Sequence, residues 1–219
     1  MKLKEEIVSL MKKLGSDLIG FTNTDIINEN EKSGHKAEDW LPGAKSAIVF
    51  ALKLLDGPLN GLPFTRSAYD WNKVYLDTQI TQISMKLCRY LEDLGYLSVP
   101  ITFEPQIFNP LRGDISVKHA AVAAGLGHIG LSDLLITPEY GPRVRLEMVI
   151  TTAEIEPDKP LEKNPCPMDY EKCGKCIRAC PSKAMYYKNG KIKRRWIRCA
   201  LYMYKDLAAL PTDHNGFSF

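Results

Sequence analysis

Five of the six cysteines lie within 34 residues in the C-terminal third of the chain. Three of them form the run Cys-Gly-Lys-Cys-Ile-Arg-Ala-Cys-Pro at residues 173–181, with the spacing C-x2-C-x3-C-P. Iron–sulfur clusters are held by cysteine thiolates, and a typical bacterial run is C-x2-C-x2-C-x3-C-P. Zinc sites favour two separated C-x2-C knuckles, and this segment has one. The spacing predicts an iron–sulfur site, with zinc and plain core thiols as the alternatives.

The cysteine run lacks the first thiol of that bacterial pattern. Tyr170 stands at its position, and Cys166 lies four residues further upstream. Cys199 lies in a predicted helix, where it could complete a cluster with Cys180. The sixth cysteine, Cys88, lies far upstream on a predicted helix, where a free thiol packs as a small apolar side chain. The candidate metal ligands are therefore Cys166, Cys173, Cys176, Cys180 and Cys199.

Charge is concentrated in the same segment. Residues 166–199 contain ten basic and two acidic residues, a net charge of +8, whereas the whole chain carries +3 and the remainder therefore −5. A basic run follows the cysteine motif, and it has three readings: a solvated face, a docking face for an acidic protein, or an RNA-binding face. Its members are Lys188, Lys191, Lys193, Arg194, Arg195 and Arg198.

This composition shift divides the chain into a body and a module. We predict a mixed α/β body at residues 1–153, a proline-rich linker at 154–165 and an iron–sulfur module at 166–219, an α+β architecture overall. The chain of 219 residues is 45% apolar and 25% charged, which excludes a disordered or fibrous protein. It has no apolar run of about 20 residues and no secretory leader, so we expect a cytoplasmic protein without a membrane partner.

Apolar periodicity places the elements of the body. Helices are predicted at residues 3–14, 74–94 and 117–124. Strands are predicted at 18–24, 46–52, 96–103, 134–137 and 143–152, and Pro100 requires the third of these to be an edge strand or to end there. Residues 57–64 are predicted to be loop. In the module, Asn189-Gly190 predicts a tight hairpin with a type I′ turn, followed by a helix at 196–204.

A second motif, Gly-Leu-Gly-His-Ile-Gly at residues 125–130, matches G-x-G-x-x-G. A dinucleotide site needs a strand before these glycines and a helix after them. Here a helix is predicted before them and a strand after them, so the motif is interpreted as a helix stop and tight turn. The alanine-rich helix before it would allow close approach of another helix or of a flat cofactor.

Several segments together resemble the epoxyqueuosine reductase family, and especially its shorter relatives. The resemblance covers roughly residues 40–205. It is carried by HAAVAAGLGHIGLSDLLITPEYGPRVRLEMVITT, CGKCIRACPSKA and RRWIRCALYMY, with LPGAKSAIVFAL and RSAYDWNKVYLDTQITQISMKLCRYLEDLGY earlier in the chain. Corrinoid-dependent reductive dehalogenases are similar to the same family.

The resemblance implies a nitroreductase-like α/β domain that binds cobalamin, joined to a ferredoxin-like module with one or two 4Fe–4S clusters. Electrons would pass from the clusters to the cobalt, which in the family serves to reduce an epoxide on a modified tRNA base. Gly125 and Gly127 would lie where the body approaches the corrinoid. By the family pattern, Cys173 and Cys176 would serve one cluster, with Cys166 in place of the absent ligand. Cys180 and Cys199 would serve the other.

The sequence departs from the family pattern in three places. A second C-x2-C-x3-C-P run does not occur within the 219 residues. Asp114 is the acid nearest to the family's proton donor, but its spacing from the glycine motif is about three residues short, so we interpret it as a turn aspartate. His128 replaces a tryptophan. We interpret His128 and His119 as hydrogen-bonded histidines rather than axial cobalt ligands, and we do not carry over the family's substrate.

The residues and the resemblance together predict an iron–sulfur redox protein, with a reductase as the preferred role. A non-catalytic electron-transfer protein and a corrinoid-binding or reactivating protein are the alternatives. An electron-donor protein such as a ferredoxin or flavodoxin is the expected partner, with tRNA less favoured. A homodimer could complete the cluster sites across its interface.

Overall fold

The computed structural model describes residues 2–30, 36–62, 64–101 and 115–208. The chain divides into two compact units. The first unit comprises Met1–Gly130 and Leu134–Cys166, and the second comprises Leu131–Asp133 and Pro167–Phe219. The body, linker and module boundaries inferred from composition stay predictions. None of the helices in the described ranges is long and apolar enough to cross a membrane.

The first unit contains six helices and six strands among its described residues. The helices are α1 Lys2–Lys13, α2 Thr24–Asn30, α3 Ala37–Trp40, α4 Asp56–Gly61, α5 Ser67–Asp93 and α6 Val117–Ala123. The strands are β1 Leu18–Asn23, β2 Ser46–Lys53, β3 Ser98–Ile101, β4 His128–Ile129, β5 Leu135–Ile136 and β6 Val144–Thr151. The predicted mixed α/β character is confirmed.

Four of these strands form one antiparallel sheet in the order β1-β2-β6-β3. β2 is buried from Ser46 to Leu52, as its continuous apolar run predicts. In the central pair, Phe50 of β2 lies opposite Glu147 of β6. β3 lies at an edge, which confirms the inference from Pro100.

The two faces of this sheet bury different helices. One face packs on α1 and α5, and α5 presents a buried ridge with helical spacing: Leu76, Ile80, Ile83, Leu87 and Leu91. The other face packs on α6 through its alanines. Burial of one leucine or isoleucine side chain contributes roughly 1.5–3 kcal/mol, so the α5 ridge is a large part of the stability of this unit.

The sequence prediction was wrong at two places around α5. Residues 57–64 were predicted to be loop, but Asp56–Gly61 form α4. α5 begins at Ser67, seven residues before its predicted start. Neither segment has a ridge of buried apolar residues that periodicity could detect, because α4 buries none of its residues and the first turns of α5 expose Trp71 and Tyr75.

The second unit contains α7 Lys175–Arg178, β7 Met185–Lys188, β8 Lys191–Arg194 and α8 Trp196–Ala208. β7 and β8 pair as an antiparallel hairpin through the two-residue turn Asn189-Gly190. Both turn residues have positive φ, +52° and +73°, as a type I′ turn requires. The predicted hairpin and the helix after it are confirmed.

Candidate metal centre

Three thiols of the cysteine motif are arranged around one short helix. Cys173 lies in the turn before α7, where its N–H donates to the Asp169 carbonyl at 3.0 Å. Cys176 lies within α7, and Cys180 lies two residues after the end of this helix. All three thiols are half-buried, and none of them is in a disulfide. The spacing of the motif thus places three thiols on consecutive turns of the backbone within one unit.

Gly174 makes the sharp turn between Cys173 and α7 possible. Its φ is +51°, in the left-handed region that side chains rarely adopt. A Cβ at this position would lie 2.5 Å from the Tyr170 carbonyl oxygen and 2.8 Å from the Tyr170 ring. The glycine of the motif is therefore required by the backbone conformation and by the close packing of Tyr170.

The Cys180 thiol lies in a group of hydrogen-bond donors. Burial raises the pKa of this thiol, but hydrogen bonds from the Ser182 hydroxyl and from the backbone N–H groups of Met185, Ala184 and Ser182 lower it, and the net pKa is below the ordinary value. The Ser182 Oγ lies 3.5 Å from Cys180 Sγ. Donors around a sulfur stabilise the thiolate, the form that ligates a metal. The surroundings of Cys180 therefore suit a cysteine that ligates an iron–sulfur cluster.

Tyr170, which stands where the bacterial pattern has its first cysteine, is held by its neighbours. Its ring stacks on Tyr187 of β7, with ring centres 4.4 Å apart and planes within 10°. The Arg178 guanidinium lies 5.5 Å from the centre of the same ring, and this side chain also donates to the Cys173 carbonyl. An open cleft of about 420 Å³ lies beside the stacked pair, and no cysteine lines it.

The two remaining candidate ligands lie in different units. Cys199 is in the first turn of α8, and its N–H donates to the Arg195 carbonyl at 3.1 Å. Cys166 is the last residue of the first unit, where its Cβ packs against Gly130. Within the described ranges, no three histidine, cysteine, aspartate or glutamate side chains lie close enough to hold a metal ion. The ligand set stays a prediction.

The glycine motif forms a packed turn between α6 and β4. Gly125 has a φ of +74°, and a Cβ there would lie 2.5 Å from the Lys159 carbonyl oxygen. A Cβ on Gly127 would lie 2.4 Å from the Ile136 carbonyl oxygen. Protein backbone therefore explains both glycines, in agreement with a helix stop and tight turn. The crowding gives no sign of a ligand, so the corrinoid contact at Gly125 and Gly127 stays a prediction.

The alanines of α6 serve helix packing. Ala120, Ala121 and Ala124 are buried in the core of the first unit. A Cβ on Gly20 of β1 would lie 2.3 Å from the Ala124 carbonyl oxygen. Small residues on both elements thus let α6 approach the sheet closely, which supports the packing interpretation over a flat cofactor.

Both candidate histidines are hydrogen-bonded. His128 Nε2 lies 2.8 Å from the Leu161 carbonyl oxygen, and His119 Nδ1 lies 2.8 Å from Ser116 Oγ. This agrees with their interpretation as structural residues. Asp114 lies outside the described residues.

The sequence analysis missed a buried carboxyl group. Glu147 of β6 is 3% exposed, and Ser84 of α5 donates to its Oε1 at 2.5 Å. Burial raises the pKa of Glu147, while the Ser84 hydrogen bond and the charge of Arg145 lower it in part. Arg145 also pairs with Asp77 of α5. The signal in the sequence that could have indicated this buried carboxyl group was a glutamate on the face of β6 that α5 covers.

The chain is similar in sequence to two groups of reductases. No family model matches the chain. Epoxyqueuosine reductase of Bacillus cereus is 27% identical over 247 residues, covering 98% of this chain and 60% of that protein. The predicted resemblance to this family is confirmed. Tetrachloroethene reductive dehalogenase of Desulfitobacterium hafniense is 33% identical over 147 residues, covering 66% of this chain and 24% of that protein.

Solved structures show the same fold. Epoxyqueuosine reductase from Streptococcus thermophilus has a TM-score of 0.60 at 21% identity and covers 94% of this chain and 59% of that one. An epoxyqueuosine reductase with a modified tRNA-Tyr stem loop has a TM-score of 0.52 at 24% identity and covers 84% of this chain and 52% of that one. The catabolic reductive dehalogenase NpRdhA has a TM-score of 0.65 at 20% identity and covers 90% of this chain and 28% of that one.

Proposed function

We propose that the chain is an iron–sulfur redox protein that acts as a reductase of the epoxyqueuosine reductase type. The observation that carries the proposal is the turn that joins Cys173, Cys176 and Cys180 around α7, with the Ser182 hydroxyl oxygen 3.5 Å from the Cys180 sulfur. The similarity to two groups of reductases supports the same reaction class. The chain spans 60% of the first of these relatives, so the activity is a proposal for this chain.

The proposed ligands of one or two 4Fe–4S clusters are Cys166, Cys173, Cys176, Cys180 and Cys199. Such clusters supply single electrons, and a corrinoid would receive them and carry out the reduction. The chain's own residues have a narrower task. Gly174 sets the turn that presents the first two thiols, and Ser182 with its neighbours lowers the pKa of the Cys180 thiol, which favours the thiolate.

Metal content tests this proposal. The protein is purified without oxygen, offered iron, sulfide and cobalamin, and analysed for iron, cobalt and zinc. We expect about four or eight irons per chain. Cys176→Ser should lose iron and the visible absorbance of the cluster. Cys88→Ala is the matched control, because Cys88 is a buried thiol of the first unit, and it should keep the iron of the parent protein.

The alternatives have distinct outcomes in the same experiment. Iron with bound cobalt supports the corrinoid reductase, whereas iron without cobalt favours an electron-transfer protein. Cobalt with no turnover of an epoxide or halide favours a corrinoid-binding or reactivating protein. Zinc, or no metal, contradicts the redox proposal.

Two partner proposals accompany this function. An electron-donor protein such as a ferredoxin or flavodoxin would reduce the cluster. A tRNA is the second candidate, because one of the similar epoxyqueuosine reductases has been solved with a tRNA stem loop. The expected homodimer also stays a proposal, and the mass of the loaded protein in solution tests it.

A further inference from the structure

The β7–β8 hairpin presents three lysines on one of its two faces. Cross-strand partners share a face, and side chains alternate along each strand. Lys188 pairs with Lys191, and Lys193 pairs with Tyr186, so these four side chains lie together. All three lysines are exposed. We call this surface the lysine face.

The lysine face carries a repulsive pair. Lys188 and Lys191 are directly opposite each other across the turn, where Cβ atoms are about 4.5–5.5 Å apart. Like charges in this position destabilise a hairpin. Among the described residues, none of the three lysines forms an ion pair. A local cost that no ion pair of the described residues offsets points to a partner that supplies negative charge.

Two acids of the same unit, Asp133 and Asp169, are engaged away from the lysine face. Asp133 pairs with Arg194, whose side chain lies on the opposite face of the hairpin. Asp169 pairs with Lys172 and accepts hydrogen bonds from the backbone N–H groups of Glu171 and Lys172. Neither of these two carboxylates therefore neutralises the lysine face.

Four aromatic rings of this unit already stack on neighbouring side chains, which favours a protein partner over RNA. Single-stranded RNA is held by aromatic rings on which its bases stack. The Arg195 guanidinium lies 4.6 Å from the centre of the Tyr186 ring, and that of Arg194 lies 4.5 Å from the Trp196 ring. Tyr170 and Tyr187 stack on each other. Each of these rings has a face covered by another side chain.

The hairpin begins close in sequence to a candidate cluster ligand. Met185, the first residue of β7, lies five residues after Cys180 along the chain. Three residues separate Met185 from Lys188, a strand length of about 10 Å. A protein docked on the lysine face would thus lie about one short strand from the proposed cluster, a suitable separation for an electron donor.

We propose that the lysine face, Lys188, Lys191 and Lys193, docks an acidic one-electron carrier protein. The inference rests on the proposed function, because it requires a cluster that accepts the electron. The electron leaves the reduced carrier and enters the cluster, and no bond is made or broken. Complementary charge would speed the encounter and orient the carrier. The affinity should therefore fall as the salt concentration rises.

Binding is tested with an acidic plant-type 2Fe–2S ferredoxin as the probe, by calorimetry on the cluster-loaded protein at low and high ionic strength. The triple variant Lys188→Glu, Lys191→Glu, Lys193→Glu should bind the probe about tenfold or more weakly at low ionic strength. Lys12→Glu, an exposed lysine of α1, is the control with the same type of charge change and should bind as the parent does.

The single variant Lys188→Glu separates docking from a structural role. It converts the repulsive pair into an attractive one, so its melting temperature should rise while its affinity for the ferredoxin falls. A purely structural lysine would not change these two properties in opposite directions.

Three results would overturn the proposal. In the first, the parent protein does not bind the ferredoxin. In the second, the triple variant binds the ferredoxin as tightly as the parent does. In the third, the triple variant loses binding of a tRNA stem loop but keeps binding of the ferredoxin. Chemical reduction by dithionite is measured in parallel. A cluster that dithionite reduces but that the ferredoxin does not reach removes the docking proposal alone, whereas the absence of a cluster removes the proposed function.

Discussion

Loss of the Ser84 hydroxyl tests how the core of the first unit tolerates a carboxyl group. Ser84 is 0% exposed, and it donates to Glu147 at 2.5 Å. Ser84→Ala removes this donor and leaves Glu147 in the same apolar surroundings. A hydrogen bond to a charged group contributes about 1.5–3 kcal/mol, so the free energy of unfolding should fall by that amount when Glu147 is ionised. At about 2–4 °C per kcal/mol, the melting temperature should fall by roughly 3–12 °C.

The pH dependence follows from the raised pKa of Glu147. Burial favours the protonated form, so the folded protein binds a proton at pH values where the unfolded chain has lost it. The free energy of unfolding therefore falls as pH rises from the ordinary glutamate pKa, about 4.3, through the raised pKa of the folded state, and is constant above it. Ser84→Ala removes a group that stabilises the carboxylate, so it should raise this pKa further and extend the fall to higher pH.

Thermal and urea unfolding, followed by circular dichroism across this pH range, measures both effects. Glu147→Gln keeps an acceptor for Ser84 but cannot ionise, so its stability should lack this pH-dependent fall. Thr78→Ala is the control on the same helix, because the Thr78 hydroxyl is exposed and donates only to the Val74 carbonyl. A loss below about 0.5 kcal/mol in Ser84→Ala above the raised pKa, comparable to an ordinary surface substitution, would refute the reasoning.

Two further predictions concern the glycine turn and the segment after β6. Gly127→Ala should lower the free energy of unfolding by about 1–3 kcal/mol, because its Cβ would lie 2.4 Å from a backbone oxygen, whereas Gly57→Ala in α4 meets no atom within 4 Å and should be neutral or stabilising in thermal unfolding. Asp158→Ala should lose about 1 kcal/mol, since Asp158 accepts from Phe21 N–H at 2.9 Å and from Lys4 at 2.6 Å. Exposed Glu154→Ala should stay within about 0.5 kcal/mol in the same assay.

Elements whose apolar residues recur at a regular spacing could be predicted from the sequence. The buried run of β2 and the ridge of α5 signal their own burial, because period and apolarity coincide there. The hairpin was predictable for a different reason. Asn189 and Gly190 tolerate the positive φ that a type I′ turn demands, so two residues fix the local geometry.

Features that depend on contacts distant in sequence could not be predicted. The alternation in β6 correctly predicts that Glu147 and Met148 point to different faces of the sheet. Only the position of α5 buries the glutamate. The strand order β1-β2-β6-β3 likewise depends on pairing between strands that are far apart in the chain. The cysteine motif predicts three thiols that lie close together along the chain. The stacking of Tyr170 on Tyr187, in contrast, requires the hairpin to fold back beside Tyr170.

The hairpin combines a favourable turn with an unfavourable pair of charges, and this contrast carries functional information. Natural sequences are mostly consistent across levels, and violations concentrate at functional sites. Asn189-Gly190 suits the turn, yet the residues on either side of it are Lys188 and Lys191, directly opposite each other. Replacing either lysine by a neutral residue with strand propensity would relieve the repulsion at no evident structural cost. The presence of both lysines therefore fits a negatively charged partner that docks next to the proposed cluster.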